Sequence, residues 1–283
     1  MTSTESSLRL DILTEPASLP KPKCDELIDA FVELSYQTTG GDDWQSYRPA
    51  IEGWREYYNA VGARPQDYDR LVLIYDGDLL VHFTGVTRFR LGPSLDFTWM
   101  RSSMTLRKHH GGGMLKMAIL SVFSPEWLRE LGETCFVVRT ANPIVYEATR
   151  NLSLGLAASH NLSFTWYPEI NIAGELDPVP DGIRDLAWRV AKKTCPGCDF
   201  IRETFVNKGY FKRFAPLYRE PAFPCDNAAT KKYFESVVDY SNQDGILVLI
   251  HMRPRHAMDG GSGANDWLDR VNRARHERDS ADE

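Results

Sequence analysis

The sequence from residue 95 to residue 122, LDFTWMRSSMTLRKHHGGGMLKMAILSV, decides the fold of this chain. Its first part, residues 95–106, carries large apolar side chains in a pattern that predicts a strand. Its last part, Met114–Val122, is apolar on nearly all sides and predicts a buried helix. Between them lie basic residues and three consecutive glycines, Gly111 to Gly113, so the strand is expected to end in a glycine loop that opens the helix.

A loop of this kind favours the binding of an anion. Glycines let backbone N–H groups turn towards a ligand, and the start of a helix adds roughly half a positive charge. Together these features suit a phosphate or a pyrophosphate. The same residues also fit a flexible strand-to-helix turn with solvated histidines, which needs no ligand.

Two well-known phosphate loops are excluded. A P-loop ends in Gly-Lys-Ser/Thr, whereas Gly113 is followed by Met114. A dinucleotide-binding fingerprint opens a parallel βαβ unit, whereas this loop follows a predicted antiparallel hairpin. That hairpin pairs residues 71–76 with residues 78–87 around Asp76-Gly77-Asp78, a sequence typical of a tight turn.

Outside this region, strand and helix patterns alternate along the chain. Strands are predicted at 8–12, 134–139, 162–167 and 246–252. Two apolar stripes at helical spacing each predict a helix, one formed by Leu27, Ile28, Phe31 and Leu34 and one by Ile183, Leu186, Ala187 and Val190. The cap Asn142-Pro143 predicts the start of another helix. Helices are also predicted around 54–61 and at 227–239.

Composition limits the class of protein. The chain has 283 residues, a formal charge of −6 and no basic stripe, which argues against broad affinity for nucleic acid. No stretch is long and apolar enough to span a membrane, and residues 1–19 do not resemble a secretory signal. Five cysteines, an odd number, favour a reduced compartment, so a cytoplasmic protein is expected.

The glycine loop resembles the pyrophosphate loop of the GNAT acyltransferase superfamily, Gln/Arg-x-x-Gly-x-Gly/Ala, with Lys108 in the place of Gln or Arg. The order of the predicted elements and Asn142 after the following strand also resemble that family. The resemblance covers about residues 8–168 and the strand at 246–252. It implies an α/β (α+β) fold with a mixed, largely antiparallel twisted sheet flanked by helices.

The expected domain boundaries combine this resemblance with the composition of the two ends, which are polar at residues 1–7 and Gly-rich and then charged after Pro254. Residues 1–7 are expected to form a disordered N-terminus and residues 254–283 a mobile tail. The acyltransferase domain is expected at 8–253, with a helical insertion at about 169–245 before the last strand. The insertion is rich in aromatic residues, which fits either a cluster packed on the sheet or a lid over a pocket.

The function implied by the resemblance is that of an N-acyltransferase. An amine of a small molecule attacks the thioester of acetyl-CoA or another acyl-CoA directly. The residues implied to bind acyl-CoA are Met104, Thr105, Leu106, Lys108, His109, His110, Gly111, Gly112, Gly113, Met114 and Asn142. A free backbone N–H near Ser103 to Thr105 is implied to polarise the thioester carbonyl.

The groups that move protons are less clear in the sequence. The family often has a Tyr seven residues after the Asn, but that position holds Thr149 here. Tyr146, one helical turn earlier, is the candidate acid for the leaving thiolate. Asp96, His82, His109 or a chain of waters could take the proton of the amine.

Two other functions stay open. Arg101, Arg107 and Lys108 could dock an acyl-carrier protein as the acyl donor. The missing Tyr at position 149 could instead indicate a non-catalytic module that binds acyl-CoA. The pair Cys195 and Cys198 could bind metal or act in redox chemistry, but ordinary turn cysteines are favoured and no metal is expected.

Overall fold

Alternating apolar residues and a tight turn build the first part of the sheet. The computed structural model describes residues 8–39, 48–60, 62–91, 95–213 and 225–255. This part of the chain divides into two units. The first holds the described residues up to Thr87 together with Trp99–Leu128, and the second holds Arg88–Thr98, Arg129–Lys212 and the residues from 225 onwards.

The first unit contains four neighbouring strands in the order β1-β2-β3-β4. The strands are β1 (Leu8–Leu13), β2 (Arg70–Asp76), β3 (Leu79–Arg90) and β4 (Asp96–Thr105), of which β3 and β4 extend into the second unit. The helices are α1 (Lys21–Thr39), α2 (Arg48–Asn59), α3 (Met114–Val122) and α4 (Pro125–Leu131), of which α4 ends in the second unit. The helix α4 was not predicted from the sequence.

The predicted hairpin is confirmed. Strands β2 and β3 pair antiparallel, with Val72 opposite Thr84 and Ile74 opposite His82. Gly77 in the turn has φ +61°, a conformation that glycine adopts at no steric cost. The alternation of side chains therefore places Val72, Ile74, His82 and Thr84 on one face of the sheet.

The opposite face of this sheet carries an aromatic core. Phe31 of α1 stacks on Phe83 of β3 with ring centroids 3.9 Å apart. Tyr58 of α2 packs edge-on against both rings. All three side chains are fully buried, so the apolar stripe predicted for α1 packs on this face.

The second unit is organised around its last strand. Its elements are β5 (Thr134–Thr140), α5 (Pro143–His160), β6 (Leu162–Tyr167), α6 (Asp181–Thr194), β7 (Phe200–Ile201), β8 (Val206–Asn207), α7 (Ala228–Val237) and β9 (Gly245–Pro254). The order is β5-β9-β8-β7, and β6 also pairs with β9. All of these pairings are antiparallel.

These elements confirm the α/β class with a largely antiparallel sheet. The predicted helix start at Asn142 is confirmed too, because its side-chain oxygen accepts a hydrogen bond from the N–H of Ile144 at 2.9 Å. Residues 169–213 contain the one predicted helix, α6, and the two very short strands β7 and β8. The expected terminus at 1–7 and nearly all of the expected tail lie outside the described residues, and the domain boundaries stay a prediction.

Three further findings concern the cysteines, membrane spans and metal ligands. Cys195 and Cys198, expected to be ordinary turn cysteines, form a disulfide in the turn after α6. Within the described ranges, no helix combines the length and the apolar character needed to cross a membrane. Within the same ranges, no group of three or more metal-ligating side chains is arranged around a common point.

One prediction about stability arises from the packing of Gly85. A Cβ atom at this position would lie 2.5 Å from the ring of Tyr68, which is buried. Gly85→Ala should therefore lower the free energy of unfolding by about 1–3 kcal/mol. Gly155→Ala on the exposed side of α5 meets no atom within 4 Å and should raise it by about 0.5–1 kcal/mol. Urea denaturation of both variants checks this pair of predictions. A Gly85→Ala variant with the same free energy of unfolding as the wild type would contradict the close contact with Tyr68.

Candidate active site

The glycine loop joins β4 to α3 through a short 3-10 turn, Arg107–His109. Gly111 and Gly113 have φ +78° and +77°, in the left-handed region that side chains with a Cβ rarely adopt. Gly113 is the N-cap of α3. No atom of the described residues lies within 4 Å of a Cβ built on either glycine, so this part of the chain leaves the space beside the backbone open to a ligand.

The backbone N–H groups of this loop divide into two sets. Those of His109, His110 and Gly112 donate to carbonyl groups within the loop. Those of Gly111, Gly113 and the first turn of α3 have no acceptor among the described residues, because a helix leaves its first N–H groups unpaired. The loop thus presents several N–H donors at the positive end of a helix dipole, the arrangement that binds an anion.

The basic side chains beside these donors have specific neighbours. The Nζ of Lys108 lies 3.9 Å from a carboxylate oxygen of Asp76, and the Nε2 of His109 lies 3.5 Å from the same oxygen. His110 contacts the carbonyl oxygen of Thr105 through its Nε2 at 2.9 Å. Lys108 remains largely exposed, so its ammonium group is accessible to a ligand as well as to Asp76.

A hydrogen-bonded chain of hydroxyl groups around His82 runs from β3 to β4 within the first unit, with Thr84 buried and Ser103 and Thr105 partly buried. The ring nitrogens of His82 each lie 2.8 Å from a hydroxyl, Nδ1 from that of Thr105 and Nε2 from that of Thr84. The hydroxyl of Thr84 lies 2.8 Å from that of Ser103. His82 has no exposed surface, and burial lowers its pKa to about 3. The imidazole is therefore neutral at pH 7, and it is a weaker base than its ordinary pKa suggests.

A second cluster of hydroxyl groups is centred on Ser102, the residue that precedes Ser103 in β4. Ser102 receives a hydrogen bond from the hydroxyl of Tyr68 at 3.0 Å, and the hydroxyl of Tyr57 lies 3.1 Å away. Burial raises the pKa of Tyr68 well above its usual range, so this phenol stays protonated. None of these three residues was predicted from the sequence to belong to the site. The signal available for them was the pair of adjacent serines in a strand that is otherwise rich in large apolar side chains.

Tyr146, the expected acid, is 1% exposed in the second unit. Its hydroxyl donates to the carbonyl oxygen of Pro168 at 2.8 Å and accepts from the Nε1 of Trp166 at 2.9 Å. Burial raises the pKa of this phenol above its usual range. Thr149, at the position where the family has its Tyr, is also buried and donates to the carbonyl oxygen of Val145.

The other expected residues have the following surroundings. In the second unit, both carboxylate oxygens of Asp96 accept hydrogen bonds from the guanidinium group of Arg90, the shorter one from Nε at 2.6 Å. Asn142 caps α5 as described above. In the first unit, the N–H of Leu106 donates to the carbonyl oxygen of Val81, and Met114 is buried. The first unit therefore brings the loop, Thr105 and His82 together in one hydrogen-bonded region.

No protein-family model matches the chain, and no curated protein matches it in sequence. Solved structures of acetyltransferases are similar to it in structure. The diaminobutyrate acetyltransferase from Paenibacillus lautus, in complex with L-2,4-diaminobutyric acid and coenzyme A, is 13% identical, with 62% of this chain and 88% of that chain covered and a TM-score of 0.34.

Two other solved structures give similar values. The aminoglycoside N-acetyltransferase AAC(6')-Iy in complex with CoA is 12% identical, with coverages of 54% and 90% and a TM-score of 0.34. A histone acetyltransferase HPA2 and related acetyltransferase from Corynebacterium glutamicum is 11% identical, with coverages of 61% and 90% and a TM-score of 0.36. The chain is thus similar, over 54–62% of its length, to three acetyltransferases of low sequence identity.

Proposed function

We propose that this protein is an acyltransferase that moves an acetyl or other acyl group from acyl-CoA to an amine of a small molecule. The observation that supports the proposal best is the loop from Lys108 to Gly113, with its unpaired N–H groups and its open space. The resemblance of this loop to the pyrophosphate loop of the GNAT superfamily supports the same ligand. The proposal includes the cytoplasmic location expected from the sequence.

The loop would bind the pyrophosphate of acyl-CoA. Phosphate oxygens would accept hydrogen bonds from the N–H groups of Gly111, Gly113 and Met114, and the dipole of α3 would stabilise their charge. Lys108 would then exchange its distant contact with Asp76 for the closer negative charge of a phosphate. Each of these interactions involves the pyrophosphate and not the acyl group. They would therefore hold any acyl-CoA as the donor, and they do not select the acceptor amine.

The chemistry requires two proton transfers. The nitrogen of the amine bonds to the thioester carbon, the C–S bond breaks, the ammonium loses a proton, and the thiolate of CoA gains one. Tyr146, Asp96 and His82 are the groups that the proposal assigns to these transfers. Since His82 is neutral and joined to hydroxyls on both sides, its part would be to pass a proton along the chain through Thr84 and Ser103.

The direct test is release of free CoA thiol from acetyl-CoA with a panel of small amines. Turnover with at least one amine is expected, and an acetylated amine identified by mass spectrometry would establish the reaction. A protein that binds acetyl-CoA but releases no thiol with any amine would contradict the proposal. That result would favour the alternative of a non-catalytic acyl-CoA-binding module, for which the specific observation is the buried Thr149 in place of a Tyr.

The role of Tyr146 can be tested separately. Tyr146→Phe removes a hydroxyl that makes two buried hydrogen bonds, so the free energy of unfolding should fall by about 1–3 kcal/mol. If the hydroxyl also protonates the thiolate, kcat should fall by roughly 100-fold or more while KM for acetyl-CoA changes little. Tyr167→Phe is the matched control, since the Tyr167 hydroxyl has no hydrogen bond with the described residues. Its loss should change neither the free energy of unfolding nor kcat. If Tyr146→Phe has the same free energy of unfolding as the wild type, the two hydrogen bonds of this hydroxyl do not stabilise the fold.

A further inference from the structure

The strand β1 forms one edge of the sheet. Its inner edge pairs with β2 over all six residues, from Leu8 opposite Asp76 to Leu13 opposite Leu71. Among the described residues, no strand pairs with its outer edge. An exposed edge presents a row of backbone N–H and C=O groups that can extend the sheet with another strand.

The side chains of β1 are unusually apolar for an exposed edge. Leu8, Leu10 and Ile12 point to one face of the sheet and are 38%, 37% and 41% exposed. Leu10 and Ile12 lie opposite Ile74 and Val72, which are fully buried on the same face. The buried apolar layer of the first unit therefore continues outwards into side chains that are only partly covered.

The charges of β1 lie on the other face and have opposite signs. Arg9 and Asp11 are separated by one residue, and the Nε of Arg9 lies 3.4 Å from a carboxylate oxygen of Asp11. Both side chains are at least 40% exposed, so both are accessible from the outer edge. When two identical strands pair antiparallel, their sequences run in opposite directions. Residues on either side of a central residue then lie opposite each other, so Arg9 of one strand can face Asp11 of the other.

We propose that β1 pairs antiparallel with β1 of a second copy of this chain, with Leu10 opposite Leu10 across a two-fold axis. In this register Arg9 of each copy lies opposite Asp11 of the other, and Leu8 lies opposite Ile12. At the contact between the two β1 strands, one face then carries only apolar pairs, and the other carries two opposite-charge pairs. Such an interface is isologous, since each copy contributes the same residues.

Complementarity of sequence and charge is the argument for a second copy as the occupant. A shift of the register by two residues would place Arg9 opposite Arg9 or Asp11 opposite Asp11, which places like charges together. A shift by one residue would place apolar side chains opposite charged ones. The inference does not depend on the proposed function, because it uses no residue of the loop or of the hydroxyl chains.

The test is sedimentation equilibrium of the full chain and of charge variants. The wild type should form a dimer at micromolar concentration. Arg9→Asp places two acidic side chains opposite each other at each pair, and Asp11→Arg places two basic ones, so each variant should weaken the dimer by about tenfold or more. An equimolar mixture of these two variants should form a heterodimer, because every opposite pair then has unlike charges.

The double variant with both substitutions in one chain is the further control. It restores unlike charges in the homodimer and should associate within about threefold of the wild type. The thermal unfolding of each variant is measured in parallel, so that a loss of dimer through misfolding is recognised. A wild type that stays monomeric, as it would if another segment of the chain covered this edge, would overturn the proposal. Single variants that leave the dimer unchanged, or a mixture that fails to form the heterodimer, would also overturn it.

Discussion

Gly113→Glu should abolish the binding of acetyl-CoA to this protein. The substitution places a carboxylate at the N-cap of α3, beside the unpaired N–H groups that would hold the pyrophosphate. The carboxylate would itself be attracted to the positive end of the helix and would repel the phosphates of the ligand. Titration calorimetry should show binding to the wild type and a loss of affinity of about 100-fold or more in the variant.

The chain offers a matched control for this variant. Gly132, in the second unit, has φ +60° and no atom of the described chain within 4 Å of its Cβ position, so Gly132→Glu introduces the same charge with a comparable backbone strain. Its affinity for acetyl-CoA should stay within about threefold of that of the wild type. Equal losses in both variants would mean that charge or strain alone reduces the affinity, and unaltered binding by Gly113→Glu would mean that the site lies elsewhere. A parallel titration with a long-chain acyl-CoA would show whether the acyl chain adds affinity.

His82→Gln should remove a large part of the acid sensitivity of this protein. Burial lowers the pKa of His82 to about 3, whereas the unfolded chain binds a proton there near pH 6.5. The stabilising effect of the neutral imidazole is therefore complete above pH 6.5 and is lost as the pH falls towards 3. At pH 7 the variant should be less stable than the wild type by about 1–3 kcal/mol, because Gln cannot satisfy both Thr84 and Thr105.

The pH dependence separates this effect from a simple packing defect. Between pH 6.5 and pH 4.5, protonation in the unfolded state should lower the stability of the wild type by about 2 kcal/mol more than that of the variant. The difference between the two proteins in urea denaturation should therefore shrink by that amount. A difference that stays constant across this range would show that His82 is not held neutral by burial.

The elements of the chain could be predicted where local patterns were strong. The turn at Gly77, the helix Met114–Val122 and the cap at Asn142 depend on neighbouring residues, and each is confirmed. The expected burial of that helix on nearly all sides is wrong, because Lys116 and Leu120 are exposed. The helix α4 and the disulfide between Cys195 and Cys198 were missed. Cys198 directly follows Cys195-Pro196-Gly197, and a turn of this sequence can leave the two thiols apart or hold them together. Only the packed structure brings the two sulfurs together.

The candidate site was predictable only in its backbone part. Glycines followed by a helix indicate an anion loop because φ and the helix dipole are local properties. The hydroxyl chain of His82, Thr84, Ser103 and Thr105 depends instead on the register between β3 and β4, which no local pattern specifies. The surroundings of Tyr146 likewise depend on Trp166 and Pro168, about twenty residues away in sequence.

The position of β9 sets the order in which the second unit can be completed. Residues Leu249–Met252 are bonded on one side to β5 and on the other to β6, although both of those strands precede β9 by about 80 residues or more. A chain under synthesis therefore exposes two strands without their shared neighbour until Gly245–Pro254 has emerged, and contacts so distant in sequence form slowly. Truncation before Gly245 should leave β5 and β6 without any common partner, so the second unit is expected to depend on chaperones more than the first during synthesis.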